Sequence, residues 1–386
     1  MAERYRPRVM LVNHVGAISG AESSLLTLAR HLDRRRFEPV AAVPAGRLAD
    51  ELAKLDVPTS IIPELRLSRS GPVKTVLGGL RLRGWSERLT AAADELGADL
   101  LAANSVTAAL GCAMNAARTR PMVWHARDLR VPERALRYVI PRATRIAAIS
   151  ACVADALVDG HPTAADRTVM IHNGVDTLVF QPERPLLEVR RELGAPDSSP
   201  VIATIGQLVP WKRQEVFIEA AAHIVAKQSY AHFLLVGADL FGEHPQYVTE
   251  LRRMVRSLGL SERITFTGFR EDIASVMGAV DVLVHPAEDE PLGRVVLEAM
   301  SLAVPCVAVN RCGPAEIIED GETGILVARP DPREIAARVI ELLSRPGAIE
   351  RMGQAARRSI NMRFTAERMA RLTEDLYEEA LAERRR

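Results

Sequence analysis

Two glutamates frame the segment Glu290-Pro-Leu-Gly-Arg-Val-Val-Leu-Glu298, straight after an apolar run, Val282–His285, that reads as a β-strand. Pro291 suits the first turn of a helix, where its missing N–H removes no hydrogen bond. The amides of Leu292, Gly293 and Arg294 then point out of a helix N-terminus, which carries about half a positive charge and attracts phosphate. This reading puts Glu290 in the loop at the strand tip and Glu298 two turns into the helix, on a face that reaches the same place. Two glutamates at this spacing also describe solvated carboxylates around any helix start. The strand before them, and a second segment, favour a binding site.

That second segment is Gly206-Gln207-Leu208-Val209-Pro210-Trp211-Lys212, after the predicted strand Val201–Ile205. A glycine at a strand tip lets a ligand approach the backbone. Lysine is scarce in this arginine-rich chain, and Lys212 sits at a helix start, where its charge opposes the helix dipole. An ammonium ~4 Å from a phosphate, at an effective dielectric of ~20, is worth roughly 4 kcal/mol before desolvation. The plain alternative is a surface lysine.

Three weaker signals lie in the first half. Ser19-Gly20-Ala21-Glu22 joins the first predicted strand to the first helix and offers the amides of Gly20 and Ala21 to a phosphate or sugar. It is not Gly-x-Gly-x-x-Gly, which counts against a dinucleotide oxidoreductase. His125 ends a strand beginning at Met122; at that tip a histidine bonds a sugar hydroxyl, handles a proton, or simply fills a core. Ile171-His-Asn-Gly-Val-Asp176, followed by Phe180, carries the turn signal Asn173-Gly174 and reads as mainly structural.

These segments are positioned by a rhythm of short apolar strands and amphipathic helices, which predicts mainly parallel sheets covered on both faces. In the first half the predicted strands are 9–13, 39–43, 100–103, 122–125, 145–149 and 168–172, and the helices 21–32, 75–96, 106–118 and 132–140. In the second, strands are predicted at 201–205, 233–236, 264–266, 282–285, 306–309 and 325–327, and helices at 214–227, 247–258, 293–302 and 333–344. The organisation expected is an N-terminal domain, 1–180; a linker, 181–199; a C-terminal domain, 200–363; and a last helix, 364–386. Ligands of open α/β sheets sit outside the carboxyl ends of the strands, so an interdomain cleft is the expected site.

The 386 residues suit two domains at roughly 150 residues each. An apolar fraction of 48% excludes a mainly disordered chain, and no apolar run approaches the ~18 residues of a membrane span. The N-terminus lacks a secretory apolar segment, so a cytoplasmic protein is expected. Net charge is +1, which argues against nucleic acid as partner; residues 1–180 carry +6 and residues 181–386 carry −5. Cys112, Cys152, Cys306 and Cys312 show no metal spacing and read as reduced. Residues 64–88 interleave Arg66, Arg69, Lys74, Arg81, Arg83 and Arg88 with Leu65, Leu67, Leu77, Leu80, Leu82 and Trp85. This is either an arginine-rich surface or a face for peripheral contact with anionic lipid. A second basic stretch runs from Arg127 to Arg145.

Together these residues resemble the retaining glycosyltransferases of family 4, along nearly the whole chain and in the family's motif order. The resemblance rests on Gly20, His125, the Asn-Gly-Val-Asp segment 173–176, Lys212, Phe266-Thr-Gly268, Glu290 to Glu298, Gly313-Pro-Ala-Glu316 and Asp320-Gly-Glu-Thr-Gly324. It implies an α/β protein of the GT-B fold: two facing Rossmann-like, doubly wound domains with an interdomain cleft, and a C-terminal helix crossing back to the N-terminal domain. It implies Glu290, Lys212 and His125 as catalytic residues. Gly20, Ala21, Gly206, Gln207, Lys212, Leu292, Gly293, Arg294 and Glu298 would hold the donor, with Glu298 on the ribose and Lys212 on the diphosphate. The donor expected is a UDP-sugar, with a GDP-sugar as the other base; no cofactor is tightly bound and no metal is required. The acceptor is a small metabolite or saccharide, or alternatively a lipid-linked acceptor at the cytoplasmic leaflet. A sugar-nucleotide epimerase of the same architecture and a non-catalytic sugar-nucleotide-binding protein are the competing classes. Three departures from the family stand out: Gln207 for a usual arginine, Leu292 for phenylalanine and Ser19 for glycine.

Overall fold

The computed structural model describes residues 5–66 and 72–383, with the backbone alone at 72–77. The chain divides into two compact units. Val175–Thr365 forms one; the residues before it and the C-terminal segment from Ala366 form the other.

The first unit holds seven strands: β1 (Arg8–Val12), β2 (Glu38–Val43), β3 (Thr59–Ile61), β4 (Leu100–Ala103), β5 (Met122–Ala126), β6 (Arg145–Ala148) and β7 (Thr168–Met170). Their order is β3-β2-β1-β4-β5-β6-β7, all parallel. The central strands are mostly apolar and buried, because helices cover both faces of a parallel sheet. The second unit repeats the design with β8 (Val201–Ile205), β9 (His232–Val236), β10 (Ile264–Gly268), β11 (Val282–His285), β12 (Cys306–Val309) and β13 (Ile325–Val327). The order is β10-β9-β8-β11-β12-β13, again all parallel. In each sheet the strand order reverses once, between β1 and β4 and between β8 and β11. Loops on either side of such a reversal diverge and open a crevice at the carboxyl ends of the strands.

Residues 181–199, expected as a linker, carry the helix Leu186–Glu192 and belong to the second unit. Arg190 fixes that helix by donating to Asp281 at 2.6 Å and to the Ala279 carbonyl at 2.9 Å. The helices Arg47–Lys54, Ala151–Gly160 and Ala348–Arg363 and the three-residue strand β3 were not expected. Ala348–Arg363 is interrupted in sequence by Gly353, which marks a close crossing: a Cβ there would lie 2.0 Å from the Ala303 carbonyl oxygen.

The C-terminal helix Ala366–Glu383 is part of the first unit. Met369, Ala370, Leu376, Tyr377 and Ala380 enter the core that Leu25, Leu28 and Phe37 also line. Arg36 clamps the helix, donating to Glu374, Asp375 and Glu378. Of the basic stretch 64–88, residues 67–71 and the side chains of 72–77 lie outside the described residues. Leu65 and Trp85 face the core, whereas Leu80 is exposed. Cys112 and Cys306 are free and buried; Cys152 and Cys312, expected reduced as well, are not free. No helix among the described residues is long and apolar enough to cross a membrane.

Candidate functional site

The strand-order reversal of the second sheet brings two of the expected residues together. Lys212 ends a short 3-10 turn, Pro210–Lys212, after β8, and Glu290 lies in the loop after the neighbouring β11. The Lys212 ammonium donates to Glu290 Oε2 and lies 4.4 Å from the centre of the Trp211 ring. The same oxygen lies 3.2 Å from Nε2 of His285, the last residue of β11. Both Glu290 and His285 are buried. Burial alone would raise the Glu290 carboxyl; the Lys212 charge and the His285 hydrogen bond outweigh it and bring the group down to about 2. Burial pushes the His285 imidazole below its ordinary range, against the opposing pull of Glu290.

This depression predicts an acid-labile term in stability. Glu290 titrates near 4.5 in the unfolded chain and near 2 in the folded one. Its contribution is complete above the unfolded value and is lost as pH falls toward the folded one. The difference in unfolding free energy between the wild type and Glu290→Gln should shrink by about 3 kcal/mol between pH ~5 and pH ~2. Urea titrations at the two pH values measure it; parallel losses in both proteins would show that Glu290 is not depressed.

The helix after Glu290 starts later than its sequence suggests. It runs Arg294–Ser301, with Gly293 left-handed at its start (φ 90°), so Pro291 and Leu292 lie in the loop. The reason is a close approach from the chain that follows β12: Gly313 donates to the Glu290 carbonyl at 3.1 Å, and a Cβ on Gly313 would lie 2.1 Å from Leu292 Cα. Leu292 is thereby buried. The amides of Val296 and Leu297 donate to the Gly293 carbonyl. Among the described residues the amides of Leu292 and Gly293, in the loop, and of Arg294 and Val295, in the first turn, find no acceptor. Glu298 sits one turn into the helix and accepts from Arg294 at 2.6 Å. Arg294 Nη1 is buried with no partner among the described residues, a donor suited to a ligand oxygen.

Around Lys212, Gly206 holds φ 153° at the tip of β8, a conformation open to glycine. The next tip is as tight: a Cβ on Gly237 would lie 1.9 Å from the Gly206 carbonyl oxygen. The Gln207 carbonyl accepts from Gln214 at 2.7 Å. Arg213, a charge able to stand in for the missing arginine at 207, is drawn to Glu215 and Glu288 at 3.7 and 3.6 Å.

In the first unit the corresponding reversal is lined by polar side chains that sequence reasoning did not single out. Asn13 and His14 follow β1, and Asn104 and Ser105 follow β4. Asn104 donates to Asn13 Oδ1 at 3.1 Å, and His14 Nδ1 lies 3.0 Å from Ser105 Oγ. Ser19 precedes the helix Gly20–His31, and its N–H and hydroxyl both donate to Glu22, at 3.0 and 2.6 Å. That capping arrangement keeps Gly20 and Ala21 in the open first turn. His125 is placed elsewhere. It is buried in β5, its Nε2 3.0 Å from the Tyr377 hydroxyl, and burial together with Arg127 lowers it to about 3. It borders a cavity of about 10 Å³, the size of one water, lined also by Ser24, Arg127, Asn173 and Thr373. A histidine five residues before Glu290, at the tip of a strand already read as such, was the available signal for His285. No local signal marks Tyr377 as the distant partner of His125.

Two family models match, Glycosyltransferase Family 4 over residues 18–178 and Glycosyl transferases group 1 over residues 187–359. The chain belongs to glycosyltransferase family 4. It has the GT-B fold expected of the family. The crystal structure of Anabaena Alr3699/HepE in complex with UDP-glucose superposes with a TM-score of 0.82 at 26% identity, over 96% of this chain and 99% of that one. Among curated relatives, the N-acetyl-alpha-D-glucosaminyl L-malate synthase of Bacillus anthracis is 29% identical over 211 residues, 55% of this chain and 53% of the relative. The D-inositol 3-phosphate glycosyltransferase of Streptomyces bingchenggensis is 27% identical over 253 residues, 64% of this chain and 55% of the relative. These matches span just over half the length of each curated relative.

Proposed function

We propose that this family 4 chain is a retaining, metal-independent glycosyltransferase that moves a sugar from a UDP-sugar onto an acceptor hydroxyl of a small metabolite or saccharide. The observation that carries this reading is the Lys212 ammonium held on Glu290 beside the opening of the helix Arg294–Ser301. A cation and open helix amides at one strand-order reversal suit a diphosphate, and Glu298 one turn further suits ribose hydroxyls. The UDP-glucose bound by Alr3699/HepE favours uridine as the base. The second unit takes the donor; the first, with the polar side chains after β1 and β4, takes the acceptor.

In this reaction the bond between the anomeric carbon and the β-phosphate oxygen breaks, and a bond from that carbon to the acceptor oxygen forms on the same face. The acceptor's proton passes to the departing phosphate. Negative charge grows on the diphosphate, and Lys212 with the open amides binds it more tightly in the transition state than before. Glu290 holds a sugar hydroxyl.

A thermal-shift panel of UDP, GDP and their sugar conjugates tests the reading. A ligand at 100 times its dissociation constant adds ~2.7 kcal/mol of stability, so a UDP-sugar should raise the melting temperature. No shift with any member of the panel overturns the proposal. Interconversion of two sugar nucleotides without acceptor would identify an epimerase instead.

A further inference from the structure

We propose that His285 is a positioning residue for the donor sugar: it holds Glu290 by Oε2 so that Oε1 is presented to a sugar hydroxyl after Lys212 has moved to the diphosphate. The inference rests on the donor site proposed above. His285 closes β11 and is buried, so the strand fixes the imidazole in place. Its Nε2 and the Lys212 ammonium converge on one carboxylate oxygen. Glu290 Oε1 has no hydrogen-bond partner among the described residues. With Glu290 ionised, Nε2 carries the proton and donates.

The two donors on Oε2 differ in what they can do. Lys212 stands on a flexible stem at the end of a turn, free to follow a phosphate. His285 is a rigid ring packed at a strand end. A diphosphate that draws Lys212 away leaves Glu290 with His285 alone. Without His285 the carboxylate would lose its last fixed contact and its aim, while the groups that face the diphosphate would remain. His285 should therefore matter to the sugar and not to the diphosphate, a split that loss of folding does not produce.

Calorimetry on the full chain measures this split. The probes are UDP and GDP and whichever of UDP-glucose, UDP-N-acetylglucosamine, UDP-galactose and GDP-mannose the wild type binds most tightly. The quantity read is the affinity for that sugar nucleotide divided by the affinity for its own diphosphate. In His285→Leu the ratio should fall at least ~10-fold, with diphosphate affinity within about 2-fold of wild type. His285→Gln, whose amide nitrogen reaches about as far as Nε2, should restore most of it. His285→Asn, whose amide stops short, should not, and this pair decides the matter if the leucine variant does not fold. An unchanged ratio, an equal loss for both ligands, or glutamine no better than asparagine overturns the role of His285 alone. Failure of the wild type to bind any sugar nucleotide overturns the donor reading, and this inference with it.

Discussion

Lys212→Ala lowers turnover at least ~100-fold, equivalent to ~2.7 kcal/mol of transition-state stabilisation. On the proposed mechanism the ammonium faces the charge that grows as the diphosphate leaves, in a pocket where Lys212 and Glu290 are both largely shielded from water. Ground-state binding of the sugar nucleotide should weaken less than turnover, because the charge is greatest in the transition state. Release of UDP under saturating donor measures the first quantity and calorimetry the second. A second consequence follows from the pair itself. Removing Lys212 leaves Glu290 buried with His285 as its remaining donor, and an uncompensated buried charge is costly. The variant should also melt earlier, and Lys212→Ala combined with Glu290→Gln should recover that loss without recovering turnover. Near-normal turnover in Lys212→Ala removes the residue from the mechanism.

Gly313→Ala is expected to damage the same site from a distance. The new Cβ would stand 2.1 to 2.4 Å from Leu292 Cα, O and C, all backbone atoms with no flexible end to swing aside. The loop 290–293 must move, and it carries both Glu290 and the turn that starts the helix Arg294–Ser301. A displacement near 1 Å at reacting groups costs on the order of 100-fold in rate, and overpacking of this kind costs roughly 1–3 kcal/mol in stability. Turnover and thermal melts of Gly313→Ala measure both. Gly84→Ala is the control: nothing lies within 4 Å of its added Cβ, and helix propensity favours the substitution. Unchanged turnover in Gly313→Ala would show that the loop tolerates the shift and that Glu290 need not be held where it is.

The expected strands Leu100–Ala103, Val201–Ile205, Val282–His285, Cys306–Val309 and Ile325–Val327 coincide with those observed. Strands buried on both faces must be apolar along their length, and such runs, bounded by loop residues, are legible without a structure. Arg47–Lys54 and β3 escaped because eight and three residues hold too little period to stand out. The expected helix 293–302 starts one residue before the observed Arg294, and the reading of Pro291 as a first-turn residue reached further back because proline is at home there. The approach of Gly313, more than twenty residues away in sequence, is what keeps the segment out of the helix.

The order of elements, the repeated strand–helix rhythm and the identity of the charged residues at the strand tips belong to the sequence alone. They announced two parallel sheets, and Lys212 and Glu290 as candidates for one site. Three matters were decided only in space. The strand order put β8 beside β11, and with it an ammonium against a carboxylate 78 residues away. The C-terminal helix took His125 for its own packing through Tyr377. The chain after β12 set where the helix Arg294–Ser301 begins. Periodicity and residue type record which groups must be buried or charged, because each residue bears that requirement by itself. Which groups meet depends on how separate elements pack, and no single segment carries that information.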